Sequence, residues 1–273
     1  MKTSGIITLT TDFGLRDPYV GVMKGVILSI NAEARVIDIS HQLKAGFISQ
    51  ASTLVQEVYP FFPEGTVHVA VVDPGVGGDR RPILIKTKNH LFVGPDNGIF
   101  WPIIRSHRHT EIIQLTENKY FLPHVSHTFH GRDIFAPVAA HLSRGVNPLE
   151  MGPIIKDPVP FDFPAPQLKG DILLGQVIRV DRFGNLITNI QRKQFERFLG
   201  SGRPFIKARK LAVEGLSKTY GEALAGEALA LIGSSDCLEI AVNLGRACDI
   251  TGMNSEDIIG MEIEVSRVYP NVA

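Results

Sequence analysis

The run from Val67 to Val72 is apolar and β-branched, and it ends at Asp73 in a turn of Pro74, Gly75, Gly77 and Gly78 that leads into Arg80 and Arg81. A run of that kind reads as a strand buried on both faces, which requires helices on either side of the sheet it joins. A strand that delivers a carboxylate into a glycine-rich turn, with guanidinium groups just beyond, also matches how α/β sheets build sites at the carboxyl ends of their strands. Taken alone, a tight turn with an Asp cap and solvated arginines accounts for the same residues.

The flanking sequence repeats the grammar. Ile6 to Thr10 reads as a strand ending at Thr11-Asp12-Phe13-Gly14, and Pro18 to Ile30 as a helix. That helix has Val22, Val26 and Ile30 on one side, Tyr19 and Met23 beside them, and Asp17 suited to cap it. Val36 to Ser40 is a second strand, Ile48 to Tyr59 a second helix, and Val67 to Asp73 a third strand. This alternation predicts a mostly parallel sheet with helices on both faces. A hairpin is expected around Lys88-Asn89, a turn at Pro95-Asp96-Asn97-Gly98, and a helix from Arg132 to Arg144 closed by Gly145. Gly152 to Gly170 carries five prolines and no periodic pattern, so it reads as a linker or a strap over the first domain. Beyond it come short strands: 171–181, 186–190, 205–213, 228–232, 237–242 and 261–265. Their spacing predicts a small antiparallel β-barrel or sandwich. The expected division is an N-terminal α/β domain over 1–160, a Pro-rich linker over 161–170 and a C-terminal β-barrel domain over 171–273.

The 273 residues carry 28 basic and 28 acidic side chains, so no overall field recruits nucleic acid or an anionic membrane. No apolar run reaches membrane-spanning length, and the start MKTSGIITLT lacks the pattern of a signal peptide. The two cysteines, Cys237 and Cys248, lie in apolar surroundings without metal-ligand spacing, which points to free thiols in a reducing, cytoplasmic setting.

Three loops of the first domain could carry chemistry: the one after Asp12, the one after Asp73, and Thr128-Phe129-His130-Gly131-Arg132-Asp133. In a parallel sheet Asp12 and Asp73 emerge on one edge, and His130 joins them only if its loop folds back. The set offers carboxylates for hydroxyl groups, an imidazole near neutral pKa and guanidinium groups to orient an anion or polarise water. Asp133 reads as a first-turn helix residue, and His124 and His127 as solvated. A metal held by Asp12, Asp73 and His130 lacks local ligand spacing. No phosphate-binding Walker loop and no Gly-x-Ser-x-Gly elbow is present. In the second domain Phe183-Gly184-Asn185 offers an aromatic face and an amide suited to a planar heterocycle, or simply a β-turn.

Six separated motifs occur in order: TTDFG (10–14), DPGVG (73–77), PDNG (95–98), TFHGRD (128–133), FGNLITN (183–189) and SSDCLEIAVN (234–243). Together they resemble the S-adenosyl-L-methionine hydroxide adenosyltransferases, hydrolase relatives of the bacterial fluorinase and chlorinase, nearly end to end. The resemblance implies a homotrimer with active sites between the N-domain of one subunit and the C-domain of its neighbour. It implies attack of water on C5′ of the adenosyl group, with adenosine and L-methionine as products and no cofactor or metal. Asp12 then corresponds to the residue holding the ribose hydroxyls. Asp73, Arg80 and His130 correspond to the set that positions or activates water. Asn185, with Phe183 beside it, and Ser234, Glu239 and Val242 correspond to residues contacting the adenosyl and methionine parts.

Two positions separate hydrolase from halide enzyme in this resemblance: the halide branch has tyrosine where this chain has Asp73 and serine where it has Gly131. A carboxylate at 73 repels a halide. Gly46 stands where the halide branch has an aromatic wall, so the pocket is looser here or closed by Phe47. Asp236-Cys237 replaces the more usual Gly-Tyr. Three rival readings stay open at this point: halide-dependent adenosyl transfer, a metal-dependent nucleoside or nucleotide hydrolase, and a non-catalytic sensor of adenosyl ligands. The preferred sulfonium epimer is open as well.

Overall fold

The computed structural model describes residues 2–253 and 257–268, and its chain contacts form two compact units, Met1–Asp162 and Phe163–Ala273. In the first unit, strands β1 (Ile6–Thr11), β2 (Arg35–Ser40), β3 (Val67–Val71), β4 (Pro82–Lys86), β5 (Leu91–Pro95), β6 (Glu111–Gln114) and β7 (Ile154–Ile155) form one sheet in the order β2-β1-β3-β5-β4-β6-β7. The pairings among β2, β1, β3 and β5 are parallel, while β4, β6 and β7 extend the sheet antiparallel. Helices α1 (Tyr19–Ile30) and α4 (Ala136–Ser143) cover one face, and α2 (Ile48–Val58) and α3 (Trp101–Ser106) the other.

Strand periodicity explains how one sheet serves two cores. Val67, Val69 and Val71 of β3 join Met23, Ile27 and Phe135 on one side, whereas Ala70 and Val72 join Val55, Phe92 and Phe100 on the other. All five residues of β3 are buried, as are those of β5. The buried stripe of α1 is Val20, Met23 and Ile27. Val22 and Tyr19 face outward instead, so the helix sits rotated from the face its spacing suggested. Pro18 occupies the N-cap and no side chain caps the helix, so Asp17 does not play that part. Chain 131–143 also departs from a single α-helix. Gly131–Phe135 forms a π turn before α4, and Gly145 closes it at a positive φ of 94°.

The proline-rich stretch is a strap in its first half. Ile154 and Ile155 add β7 to the sheet edge, and Arg81 bonds both Asp96 in the turn after β5 and Asp157 in the strap. Asp96 also accepts the Val159 amide, and Gly98 leaves the space filled by the Phe161 side chain.

The second unit is an eight-stranded antiparallel sheet with the order β12-β11-β15-β9-β10-β14-β13, and β8 pairs β9 off this path. Its members are β8 (Gln167–Lys169), β9 (Ile172–Val180), β10 (Leu186–Gln191), β11 (Arg203–Ala208), β12 (Leu211–Glu214), β13 (Ala228–Ile232), β14 (Cys237–Val242) and β15 (Glu262–Val268). The end strands β12 and β13 pack against each other, so the sheet nearly closes into a barrel. The expected strand 205–213 is two strands, because Arg209 turns left-handed at φ 54° and reverses the chain. Two short helices complete the unit, α5 (Arg192–Leu199) and α6 (Ala247–Ile250). A reciprocal Gln191/Gln194 capping box starts α5. Cys248 is a buried free thiol.

At the amino ends of the strands, His68 and His90 are buried beside Tyr59, Phe62 and Phe92. His68 Nδ1 meets Thr8 Oγ1 at 2.9 Å and its Nε2 meets His90 Nδ1 at 3.3 Å. Burial, reinforced by His90, pushes the His68 pKa down to about 3, and burial lowers that of His90. Both rings are therefore neutral when folded, and the unfolded chain binds the extra protons. Their contribution is complete above the unfolded value of roughly 6.5 and is lost as pH falls from there. Urea unfolding is expected to show stability falling by up to about 1.4 kcal/mol per pH unit for each histidine over that acidic range. His68→Leu should flatten the curve, and parallel curves for the two proteins would refute the assignment.

Candidate active site

In the parallel half of the sheet, Thr11 of β1 lies beside Val71 of β3, so Asp12 and Asp73 leave the same edge. The carboxyl ends of β2 and β5 add His41 and Asp96 to that edge. The β3 loop then meets the loop before the π turn. Gly77 has φ 77°, and a Cβ there would collide with the His127 carbonyl oxygen, so only glycine permits the approach. Asp133, fully buried, accepts the Ser126 amide at 2.8 Å and the Arg132 guanidinium, which fixes the loop carrying His130.

These loops bring Asp73, Arg80 and His130 into one hydrogen-bonded set. Arg80 donates Nε–H to Asp73 Oδ1 at 2.9 Å and Nη2–H to Asp73 Oδ2 at 2.5 Å. Nη2 also lies 2.6 Å from His130 Nδ1. A guanidinium has no lone pair to accept with, so Nδ1 is the acceptor and the ring proton sits on Nε2. The side chains of Arg80 and Asp73 are 9% and 4% exposed, and Arg80 packs over the Phe135 ring. Arg80 Nη1 is buried and meets no acceptor among the described residues. It is a donor held in reserve. Burial and the positive charge of Arg80 lower the His130 pKa against the opposing pull of Asp73 and Asp133. The adjacent Arg81 points elsewhere, into the strap, and does structural work.

Asp12 stands at the same edge, where its Oδ2 accepts the Gly46 amide at 2.8 Å. Gly46 has φ 74°, and a Cβ there would meet only open space, so backbone conformation rather than crowding selects glycine. Phe47 is covered by the Lys44 ammonium, 4.2 Å from its ring centroid. Phe13, Tyr19 and Phe129 stack edge to face at 5.2–5.9 Å between centroids, beside both Asp12 and His130 in sequence. Gly131 fits between Phe13, Phe129 and Met23, each 3.3 Å from where a Cβ would be, so a serine there would have to push the rings apart.

The second unit holds its own set. Asp181 accepts the Asn185 backbone amide at 2.9 Å and its Nδ2 at 3.0 Å, which orients the carboxamide. Phe183 is 72% exposed on the same turn. Glu239 is buried and accepts the Tyr220 hydroxyl at 2.6 Å. Burial raises its pKa, as does the nearby Asp181. A Cβ at Gly233 would collide with Glu239 Oε2, so glycine leaves room for the carboxylate. Ser234 is exposed, and Val242 is packed in the core of this unit. Asp236 takes the left-handed φ of 61° that glycine commonly supplies. Asp181 and Tyr220 escaped sequence reasoning, although Asp181 directly precedes the Arg-Phe-Gly-Asn motif. Among the described residues no cluster of three or more His, Cys, Asp or Glu is arranged to hold a metal, and no helix is long and apolar enough to cross a membrane.

Comparison with known proteins covers both units. The SAM hydroxide adenosyltransferase N-terminal domain model matches residues 7–152 and the C-terminal domain model residues 175–260. The chain is 35% identical over 254 residues to an (R)-S-adenosyl-L-methionine hydrolase of Salinispora tropica, covering 92% of this chain and 95% of that protein. It is 26% identical over 273 residues to a fluorinase of Nocardia brasiliensis, covering 87% and 90%. A crystal structure of a conserved protein from Thermotoga maritima superposes with a TM-score of 0.88 at 36% identity, covering 96% of this chain and all of the other.

The donor pattern around His130 predicts its titration. Arg80→Gln removes the cation that opposes protonation, so the His130 pKa should rise. NMR titration of the ring should show it moving toward the ordinary value of roughly 6.5, and an unchanged or lower value would contradict the pairing.

Proposed function

The chain belongs to the SAM hydroxide adenosyltransferase family, and from that membership we propose that it hydrolyses the (R) epimer of S-adenosyl-L-methionine to adenosine and L-methionine. The observation that carries the reading is the Asp73–Arg80–His130 set, with a buried Arg80 Nη1 donor left over. Water forms a bond to C5′ as the C5′–S bond breaks in line, and the electron pair leaves with sulfur as a neutral thioether. The sulfonium is already a good leaving group, so the protein's task is to align and desolvate a weak nucleophile. Arg80 Nη1–H holds the water oxygen through one lone pair and leaves the other to attack C5′, while His130 orients Arg80 through Nδ1. The water hydrogen faces the Asp73 carboxylate, which accepts the proton because His130 Nδ1 is already engaged by Arg80. Asp12 binds the ribose hydroxyls through the oxygen that Gly46 leaves free.

The same geometry disfavours a halide as nucleophile. A buried carboxylate at 73 would stand against it, and its guanidinium partner is already neutralised by that carboxylate. The reading involves neither metal nor cofactor, and the adenosyl and methionine parts are assigned to Asn185, Phe183, Ser234, Glu239 and Val242 of the second unit. These act in a homotrimer, with each site shared between the first unit of one subunit and the second unit of its neighbour. Tyr19, Val22 and Leu28 of α1 and Ile37 of the edge strand β2 are apolar side chains left exposed in the single chain.

Purified protein incubated with each epimer should release adenosine from the (R) form, regardless of chelator and of added chloride. A 5′-halo product would replace this reading with halide transfer, and binding without turnover would replace it with a sensor. Arg80→Ala and His130→Ala should lower kcat by about 10²–10⁴-fold with little change in affinity, while Asp12→Ala should mainly weaken binding. Subunits carrying His130→Ala mixed with subunits carrying Asn185→Ala should regain activity that neither has alone. Failure to regain it in a proven mixed assembly would place the whole site within one chain.

A further inference from the structure

Beneath Asp12 lies a second polar chain that the proposed reaction does not use. Thr11 Oγ1 meets His41 Nδ1 at 2.8 Å, and both residues are buried, at 0% and 3% exposure. His41 Nε2 lies 3.0 Å from Asp38 Oδ1, near enough to feel that carboxylate though too bent for a regular hydrogen bond. The other Asp38 oxygen takes the Lys24 ammonium of α1 at 2.5 Å. On its far side, Thr11 Oγ1 accepts the Phe13 amide at 3.3 Å, and the His41 carbonyl accepts the Gly14 amide at 2.7 Å. The turn carrying Asp12 is thus pinned on both flanks by one histidine, once through its ring and once through its backbone.

A register shift in β2 makes this reach possible. Leu9 pairs Asp38 but Thr10 pairs Ser40, so an extra residue, Ile39, is accommodated between them. Such bulges re-aim the side chains that follow, and they recur next to functional sites. The shift leaves Asp38 on the strand and brings His41 over the end of β1.

We propose that Thr11, His41 and Asp38 are positioning residues that set the rotamer and height of Asp12, so that one carboxylate oxygen is spent on Gly46 and the other is presented to a ribose diol. The Asp38 carboxylate beside Nε2 favours the ring proton on that side by its charge, and Nδ1 then accepts the Thr11 hydroxyl hydrogen. That fixes which lone pairs of Oγ1 face the Phe13 amide. The inference rests on the assignment of Asp12 to the ribose, and it adds that diol recognition is a property of this relay and not of Asp12 alone. Removing the relay leaves the carboxylate in place but lets the turn drift, so the loss falls on the diol rather than on the base or the chemistry.

Calorimetry with adenosine and with 2′,3′-dideoxyadenosine reads this directly, because only the first carries the diol. Wild-type protein should prefer adenosine by about tenfold or more, the worth of a hydrogen bond to a charged group. Thr11→Val, which removes the hydroxyl at constant shape, should erase most of that preference while leaving dideoxyadenosine affinity within about twofold. Thr11→Ser should restore the preference. Asp38→Asn, on a partly exposed side chain, should reduce it in part and serves as the measurement should the valine variant not fold. A valine variant that keeps the preference, or weakens both nucleosides equally, overturns the relay and leaves the Asp12 assignment standing. A wild-type protein with no preference overturns that assignment and the relay with it, and one that binds neither nucleoside overturns the proposed substrate class as well.

Discussion

Arg80 must serve two partners, Asp73 seven residues before it and His130 fifty residues after it. It can do so because its planar fork spends Nε and one Nη2 hydrogen on the carboxylate and the other Nη2 hydrogen on the imidazole. That division fixes three things at once. It holds the glycine-rich loop closed and decides the His130 tautomer. It also leaves one nitrogen unspent inside a site from which water is largely excluded. A lysine could supply the charge but not the geometry, since a single ammonium cannot make two parallel bonds to a carboxylate and a third to a ring.

The scaffold is arranged so that this bridge can form. Parallel strands β1, β3, β2 and β5 all end at one edge, so each delivers the residue after its last rung to a common place. The antiparallel strands β4 and β6 widen the sheet and seat the strap that Arg81 ties down. Adjacent arginines thereby take separate duties, one for chemistry and one for architecture. The two histidines that carry the acid sensitivity, His68 and His90, lie at the opposite ends of the strands, so the stability burden of buried imidazoles is kept away from the site.

Much of this was legible in the chain. The β-branched runs ending in Asp12 and Asp73 encode both the buried strands and the edge on which they open, because side-chain period and strand end are local properties. His130 was legible as a residue but not as a neighbour. Its approach depends on Gly77 meeting the His127 carbonyl, a contact between distant loops. Arg80 and Arg81 look alike in sequence, and only Asp96 and the strap's Asp157, which draw Arg81 away, separate them. The left-handed Arg209 split an expected strand because a non-glycine residue gives little warning of positive φ. The rotation of α1 followed from tertiary packing against α4 and the π turn, which its own periodicity does not specify. Asp181, Tyr220 and His41 were missed for a common reason: each acts on another side chain, and such roles leave no spacing signal.

Charge balance explains why the imidazole needs to be held neutral. With His130 uncharged, the Asp73–Arg80–His130 set sums to no net charge, and in the proposed reaction it faces a substrate that is itself a sulfonium cation. A protonated His130 would add a like charge beside the reacting carbon, and it would also place an N–H against the Arg80 donor. The same burial and the same guanidinium that lower its pKa prevent both. As sulfur becomes neutral and the attacking oxygen gains positive character, the only anion in the set is the carboxylate facing that oxygen. The arrangement therefore favours the charge that develops over the charge that departs, which is the difference a catalyst has to make.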